Sequence, residues 1–220
     1  RDPVIESDIT VDVDGIGRFH VRANSDDLFH VLPSREPQIL DAIRSHLQPG
    51  DVFVDAGANI GFYTVLASKL VGRSGRVIAF EMMPDTADVL RNHLDMNGCQ
   101  NVTVVEQAIS DVAGQTVTAT VADGHFGQAS IGDVPGHHGK ATRQVSVQTT
   151  TLDRALSGVG PIKLMKMDLE GVEEQAIRGA LESLPSIANV IFEDWGGESS
   201  TEGFWPTAGF QVYRLDRRNM

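Results

Sequence analysis

The chain is predicted to be an α/β protein built on a doubly wound, mostly parallel sheet. Three observations predict it. Residues 51–61 (Asp-Val-Phe-Val-Asp-Ala-Gly-Ala-Asn-Ile-Gly) run from a β-branched and aromatic stretch into an acid and a glycine-rich turn. Directly afterwards Phe62, Val65, Leu66, Leu70 and Val71 recur at helical spacing, as in a buried strand, tight turn and amphipathic helix. The same strand–helix alternation repeats downstream, and such crossovers are right-handed.

The elements follow in order. Residues 4–22 alternate apolar and polar around Asp14-Gly15, predicting an N-terminal β-hairpin outside the main sheet. Over 34–48, Ser34 can cap a helix and Pro37 suits its first turn, with Ile39, Leu40, Ile43 and Leu47 forming one face. After the strand and helix that begin at 51 come a strand at 76–80 ending at Glu81, a helix from Pro84 to Asn97-Gly98, and a strand at 102–106 leading into Gln107-Ala108. Residues 115–121 and 143–150 read as strands of a β insertion around 115–150, joined by a polar loop over 122–142. Thr151 caps a short helix to Leu156; strands are then expected at 162–168, 187–193 and 210–215, with a helix from Gly171 to about Leu184. The expected organisation is one domain over 1–220, with residues 1–33 as a flap on the 34–220 core.

Composition narrows the function. The 220 residues carry a net charge of −12, which disfavours a nucleic-acid partner because phosphate binding needs a basic face. The longest apolar runs fall short of the roughly 18 residues of a membrane helix, so no membrane partner is expected. A single cysteine, Cys99, excludes an internal disulfide and fits a reducing, cytoplasmic setting. The chain opens at Arg1, and a trimmed start is expected.

Ligands of open α/β sheets bind beyond the carboxyl ends of the strands, near the switch in strand order. The polar residues expected there are Asp55, Glu81, Glu106-Gln107, Asp168 and Glu193-Asp194. A crowd of acids would repel a pyrophosphate but accept a cation-bearing nucleoside. A carboxylate at Glu81 can accept hydrogen bonds from both hydroxyls of a ribose. Together these suggest S-adenosylmethionine, whose sulfonium is positive.

The segment Asp55-Ala-Gly57-Ala-Asn59-Ile-Gly61 resembles motif I of class I S-adenosylmethionine-dependent methyltransferases, which have a Rossmann-like fold. With Phe80-Glu81 and Pro84, then Thr150-Thr-Leu-Asp153, Lys166-Met-Asp168-Leu-Glu170-Gly171-Val-Glu173 and Gly179-Ala180, the chain resembles the FkbM family over about residues 35–215. That resemblance implies O-methylation of a hydroxyl on a small-molecule or glycosylated acceptor. Two features depart from the pattern: the 196–209 connection is short for a crossover helix, and the chain stops soon after the last expected strand, which predicts a trimmed or reduced sheet edge.

The resemblance places Gly57 and Gly61 along the cofactor's methionine half, with Asp55 and Asn59 ordering the loop or meeting the amino-acid group. Asn59 is alternatively a turn residue satisfied by its own backbone. Glu81 is expected on the ribose (alternatively an exposed acid at the helix entry), Met82 or Met83 on the adenine or alternatively a core or surface methionine, and Gln107 and Ala108 at the adenine edge. Asp168 faces the transferred methyl group, to position the cofactor amine, act as a base or hold Lys166. Lys166 and Glu170 are candidates for the acceptor, though Glu170 and Glu173 also suit a helix N-terminus. An alcohol is a poor nucleophile at neutral pH, so His125, with His137 and His138 in the same loop, is a candidate base. In-line placement alone is the alternative. Asp168 with Glu193 or Asp194 also suits a Mg²⁺ ion, although no metal is assigned.

Two other readings share the fold. A nicotinamide dehydrogenase needs G-x-G-x-x-G, whereas residues 57–62 read Gly-Ala-Asn-Ile-Gly-Phe. A non-catalytic binding module would not need both Glu81 and Asp168. Within the methyltransferases, enzymes acting on base amines carry Asn/Asp-Pro-Pro-Tyr/Phe where this chain has Asp168-Leu-Glu-Gly.

Overall fold

The structure, a computed structural model, describes residues 5–122, 124, 129–131, 142–193 and 201–215. The hairpin is β1 (Ile9–Val13) and β2 (Gly17–Val21), followed by the short α1 (Asp27–His30). Then come α2 (Pro37–His46), β3 (Val52–Ala56), α3 (Phe62–Val71), β4 (Arg76–Phe80), α4 (Pro84–Met96) and β5 (Val102–Val105). The insertion supplies β6 (Ala108–Ile109), β7 (Thr116–Ala122), β8 (Ser130–Ile131) and β9 (Thr142–Thr150). The chain then forms α5 (Leu152–Ala155), β10 (Leu164–Met167), α6 (Glu173–Arg178), β11 (Val190–Phe192) and α7 (Phe204–Thr207).

The main sheet runs β11-β10-β3-β4-β5 with every pair parallel, so strand order reverses between β3 and β10. Both faces are covered, which is why its strands are mostly apolar, with Asp55 and Lys166 as the charged exceptions near the strand tips. Phe53, Val77, Ala79 and Leu164 pack with α3, α4 and the hairpin; Val54, Ala56, Ile78, Phe80, Met165 and Met167 pack with α5, α6 and Trp205. Each such side chain contributes roughly 1.5–3 kcal/mol by leaving water. The hairpin is anchored by Phe19, fully buried against Phe62 and edge-on to His93.

The insertion forms a second sheet, β6-β9-β7-β8, and its inner residues Ala119, Val121, Ala129 and Val147 close over Met83 and Ala108. The excursion thus roofs one end of the main sheet's strand tips. Among the described residues no helix is long and apolar enough to cross a membrane.

Three expectations are corrected. Ser34 does not cap α2: Glu36 is the N-cap residue and Pro37 opens the helix, its missing N–H costing nothing in a first turn. The helix expected to reach Leu184 ends at Arg178, because Gly179 fits its backbone against the Ser110 carbonyl and Pro185 cannot continue the helix; a short 3-10 turn, Leu184–Ser186, follows. Residues 210–215 are not a strand. Phe210 and Val212 turn inward against the core, but the segment joins no ladder among the described residues. Alternation specifies a buried face, not a hydrogen-bonded neighbour.

Candidate active site

β3 delivers Asp55 and Ala56 to the sheet's carboxyl edge, where the chain must turn at once. Gly57 makes that turn at φ +85°, with Gly57 and Ala58 N–H both donating to the Phe80 carbonyl at 3.1 and 2.8 Å. Asn59 follows in the left-handed region at φ +51°. Its N–H donates to one Glu81 carboxylate oxygen at 2.9 Å, and Met83 N–H donates to the other at 2.8 Å. Burial pushes the Glu81 carboxyl up to about 7, against the pull of these two N–H groups. Each oxygen spends one lone pair on the backbone and keeps another for a ligand. Asn59 Oδ1 is buried without a partner. The side chain is therefore not satisfied by its own turn.

Across the switch point, Asp55 and Lys166 are register neighbours on one face. Thr64 donates to Asp55 Oδ2 at 2.6 Å, while Oδ1 is buried and unpaired. Burial raises the Asp55 pKa, opposed by Lys166 and Thr64. Lys166, only 3% exposed, donates to Asp168 Oδ2 at 3.0 Å. Burial disfavours the ammonium, but Asp168 and Asp55 outweigh it and leave its pKa raised. For Asp168, burial pulls up and the Lys166 ammonium pulls down harder, so its carboxyl lies below the ordinary range. Glu170, at φ +54°, is pushed up to about 7 by burial and then by Asp168 and Glu173. Glu193 is also pushed up to about 7, by burial and then by Asp168, to which it is hydrogen-bonded.

These groups meet in one cavity of about 330 Å³ at the switch point. Gly57, Asn59, Glu81, Met82, Gln107, Ala108, Lys166, Asp168 and Glu170 all line it, with Glu81 and Asp168 in the same cleft. Asp55 and Gly61 sit behind the wall. Gly61 caps α3 in the left-handed conformation and packs against Leu90 of α4. His125, His137, His138 and Asp194 lie outside the described residues. Among the described residues no three His, Cys, Asp or Glu side chains converge as a metal site.

Sequence reasoning missed one wall. Phe29, His30, Arg35, Glu36 and Tyr63 also line the cavity. Tyr63 donates to Glu36 at 2.9 Å, Arg35 pairs with Glu36 and stacks 5.5 Å from Phe29, and Lys166 lies 5.5 Å from the Tyr63 ring. Burial pushes the Tyr63 hydroxyl up, and Glu36 adds to it. The available signal was Arg35-Glu36 directly before a helix-opening proline, but only the folded α2 brings it to the strand tips.

A family model described as the methyltransferase FkbM domain matches residues 55–206. The chain belongs to the FkbM methyltransferase family. Its fold is the Rossmann-like class I methyltransferase fold, and S-adenosylmethionine is its cofactor. The solved precorrin-6y C5,15-methyltransferase of Geobacter metallireducens covers 95% of this chain and 82% of its own, with a TM-score of 0.53 at 16% identity, a likeness of fold alone. The hexuronic acid methyltransferase AglP of Haloferax volcanii is 24% identical over 196 residues, 88% of this chain and 77% of its own. A protein-L-isoaspartate O-methyltransferase of Aeropyrum pernix is 38% identical over 64 residues, 29% of this chain. The match spans about a quarter of that relative, 24% of its length.

The FkbM cavity fits the cofactor on its own chemistry. The free lone pairs of Glu81 suit hydroxyl donors, the unpaired Asn59 Oδ1 suits an N–H donor, and the carboxyls around Asp168 suit a cation. When bound, S-adenosylmethionine supplies an electrophilic methyl group on a positive sulfur.

Proposed function

We propose that this FkbM protein is an O-methyltransferase that methylates a hydroxyl of a small-molecule or sugar-containing acceptor. The observation that carries this reading is the convergence of Glu81 with the Lys166–Asp168 pair on one cavity at the switch point. In it Glu81 takes the ribose hydroxyls, Met82, Gln107 and Ala108 take the adenine, and Gly57 and Asn59 take the amino-acid half. Asp168 and Lys166 face the transferred methyl group, with Glu170 on the acceptor side. Asp55 and Gly61 act from behind, by fixing the loop. The relative AglP, a hexuronic acid methyltransferase, favours a sugar-containing acceptor. The net charge of −12 argues against a nucleic acid, and lone Cys99 is compatible with the cytoplasm.

The test is calorimetry with S-adenosylmethionine, S-adenosylhomocysteine and NAD on the wild type and Glu81→Ala, followed by an acceptor screen read by methyl mass gain. Binding of the two sulfur nucleosides but not NAD, lost in Glu81→Ala, is expected. Unchanged affinity in the variant would place the ribose elsewhere. A methylated carboxyl or amine product would overturn the hydroxyl assignment.

A further inference from the structure

Methyl transfer to an alcohol releases a proton, and the cavity must place a group to take it. Asp168 is poorly suited: Lys166 holds its Oδ2 at 3.0 Å and keeps it ionised, so it binds a proton weakly. Lys166 is already charged and nearly closed off from solvent. Glu170 lines the cavity but makes no hydrogen bond among the described residues to fix its carboxyl.

Glu193 differs. It follows β11 and is set beside Asp168 by the strand register, which pairs Met167 with Phe192; its N–H donates to the Met167 carbonyl at 3.2 Å. Its carboxyl is hydrogen-bonded to Asp168, which forms a chain from the Lys166 ammonium through the Asp168 carboxylate to Glu193. Two carboxyl groups in such contact share one proton, and Lys166 ensures that Asp168 is the ionised member. Glu193 also reaches both the cavity and solvent, so a captured proton can leave.

We propose that Glu193 accepts the acceptor's hydroxyl proton during methyl transfer, with Asp168 as its positioning partner. The inference rests on the methyltransferase reading above. The acceptor oxygen bonds to the methyl carbon as the carbon–sulfur bond breaks, the electron pair stays on sulfur, and the oxygen's proton passes to the Glu193 carboxylate and then to water. The charged groups that face Glu193 are Asp168 and Glu170 from the β10 side and Glu36 from the start of α2. Burial first, and then these three acids, push its carboxyl up to about 7, close to neutral pH, where a general base is most useful.

The test has two parts. In protein labelled with carbon-13 at the Glu side-chain carboxyls, without cofactor or acceptor, the Glu193 resonance identified by its loss in Glu193→Gln is expected to titrate near pH 7 and to move toward the ordinary value of 4.5 in Asp168→Asn. A wild-type Glu193 that titrates in the ordinary range overturns the proposal, whether or not an acceptor is in hand. In turnover, Glu193→Gln is expected to bind S-adenosylhomocysteine within twofold of wild type, lose about 10²-fold in kcat and lose the inflection near pH 7, with Glu193→Asp partly active. A Glu193→Gln rate within threefold of wild type, or a greater loss in Glu170→Gln, also overturns it. Failure of the wild type to bind S-adenosylhomocysteine would instead sink the methyltransferase reading itself.

Discussion

The carbonyl oxygen of Asp168 occupies the place that a Cβ on Gly57 would need. Two segments far apart in sequence, the turn after β3 and the tip of β10, are thus in direct backbone contact at the switch point. Asp168 N–H donates to the Ala56 carbonyl at 3.0 Å, which fixes that approach from the other side. The cavity wall depends on this seam, and the seam on the missing side chain.

Gly57→Ala is accordingly expected to do more than strain one residue. The φ of +85° alone costs about 1–3 kcal/mol for a side-chain-bearing residue, and the collision with Asp168 adds to it. Gly160→Ala is the control, since it sits at φ +80° with open space where the Cβ would go. Thermal unfolding should fall in both and further in Gly57→Ala, which alone should lose S-adenosylhomocysteine binding. Equal unfolding temperatures with intact binding would show that the seam can relax.

A second expectation concerns protons. Glu81 is raised to about 7, so between its ordinary 4.5 and about 7 the folded protein holds a proton that the unfolded chain has released. The sign follows: this group's contribution to stability is largest at low pH and is lost as pH rises through 7. A ligand whose hydroxyls donate to the carboxylate favours the ionised form. S-adenosylhomocysteine affinity should therefore rise with pH up to about 7 and then level off, with proton release on binding near pH 6.5. Calorimetry in two buffers of different ionisation enthalpy measures it. Glu81→Gln should abolish the release; persistence in that variant would assign it to another group.

The Lys166–Asp168 pair calls for a double-mutant cycle. Lys166 is buried and Asp168 only partly exposed, so losing one member strands the other's charge, at a cost of up to about 3–5 kcal/mol. Lys166→Met alone should be strongly destabilising, and more so than Asp168→Asn, because it leaves Asp168 and Asp55 side by side without their cation. The double variant should recover part of the loss. Urea unfolding of the four proteins gives the coupling, and simple additivity would mean that the pair is held by its surroundings.

Much of the parallel sheet and its polar rim was legible because the sheet is buried on both faces. Apolar runs such as 52–54 and 77–80 then announce strands, and the residue after each, Asp55 or Glu81, is a rim residue. Asn59 and Glu81 were legible for the same reason. Arg35, Glu36 and Tyr63 were not, since their membership depends on how α2 and α3 fold across the rim, which local periodicity does not encode. The strand expected at 210–215 failed from the opposite cause: a strong local pattern without a neighbour to pair with. Glu193 was visible as a strand-tip acid, but its place beside Asp168 follows only from the register of β10 with β11.

His93 ties the hairpin to the motif loop. Its Nδ1 lies 2.6 Å from the Ile60 carbonyl, to which it donates, and its Nε2 lies 2.9 Å from both the N–H and the carbonyl of His20, so it accepts from the first when the ring is neutral and donates to the second when the ring is protonated. Burial pulls its pKa below the ordinary 6.5, against the two backbone contacts. The unfolded chain therefore takes up a proton first as pH falls, and His93's contribution, full above about 6.5, is lost below it. His93→Phe keeps the edge contact with Phe19 but leaves Ile60 C=O and His20 N–H unpaired, each worth about 1–3 kcal/mol when buried. At pH 7.5 the variant should unfold at distinctly lower urea than wild type, and at pH 5.5 the gap should narrow because only the wild type pays for protonating this ring. Because Ile60 belongs to the loop that carries Asn59, S-adenosylhomocysteine affinity should weaken as well. A gap independent of pH would mean that His93 takes up its proton as readily in the folded protein as in the unfolded chain.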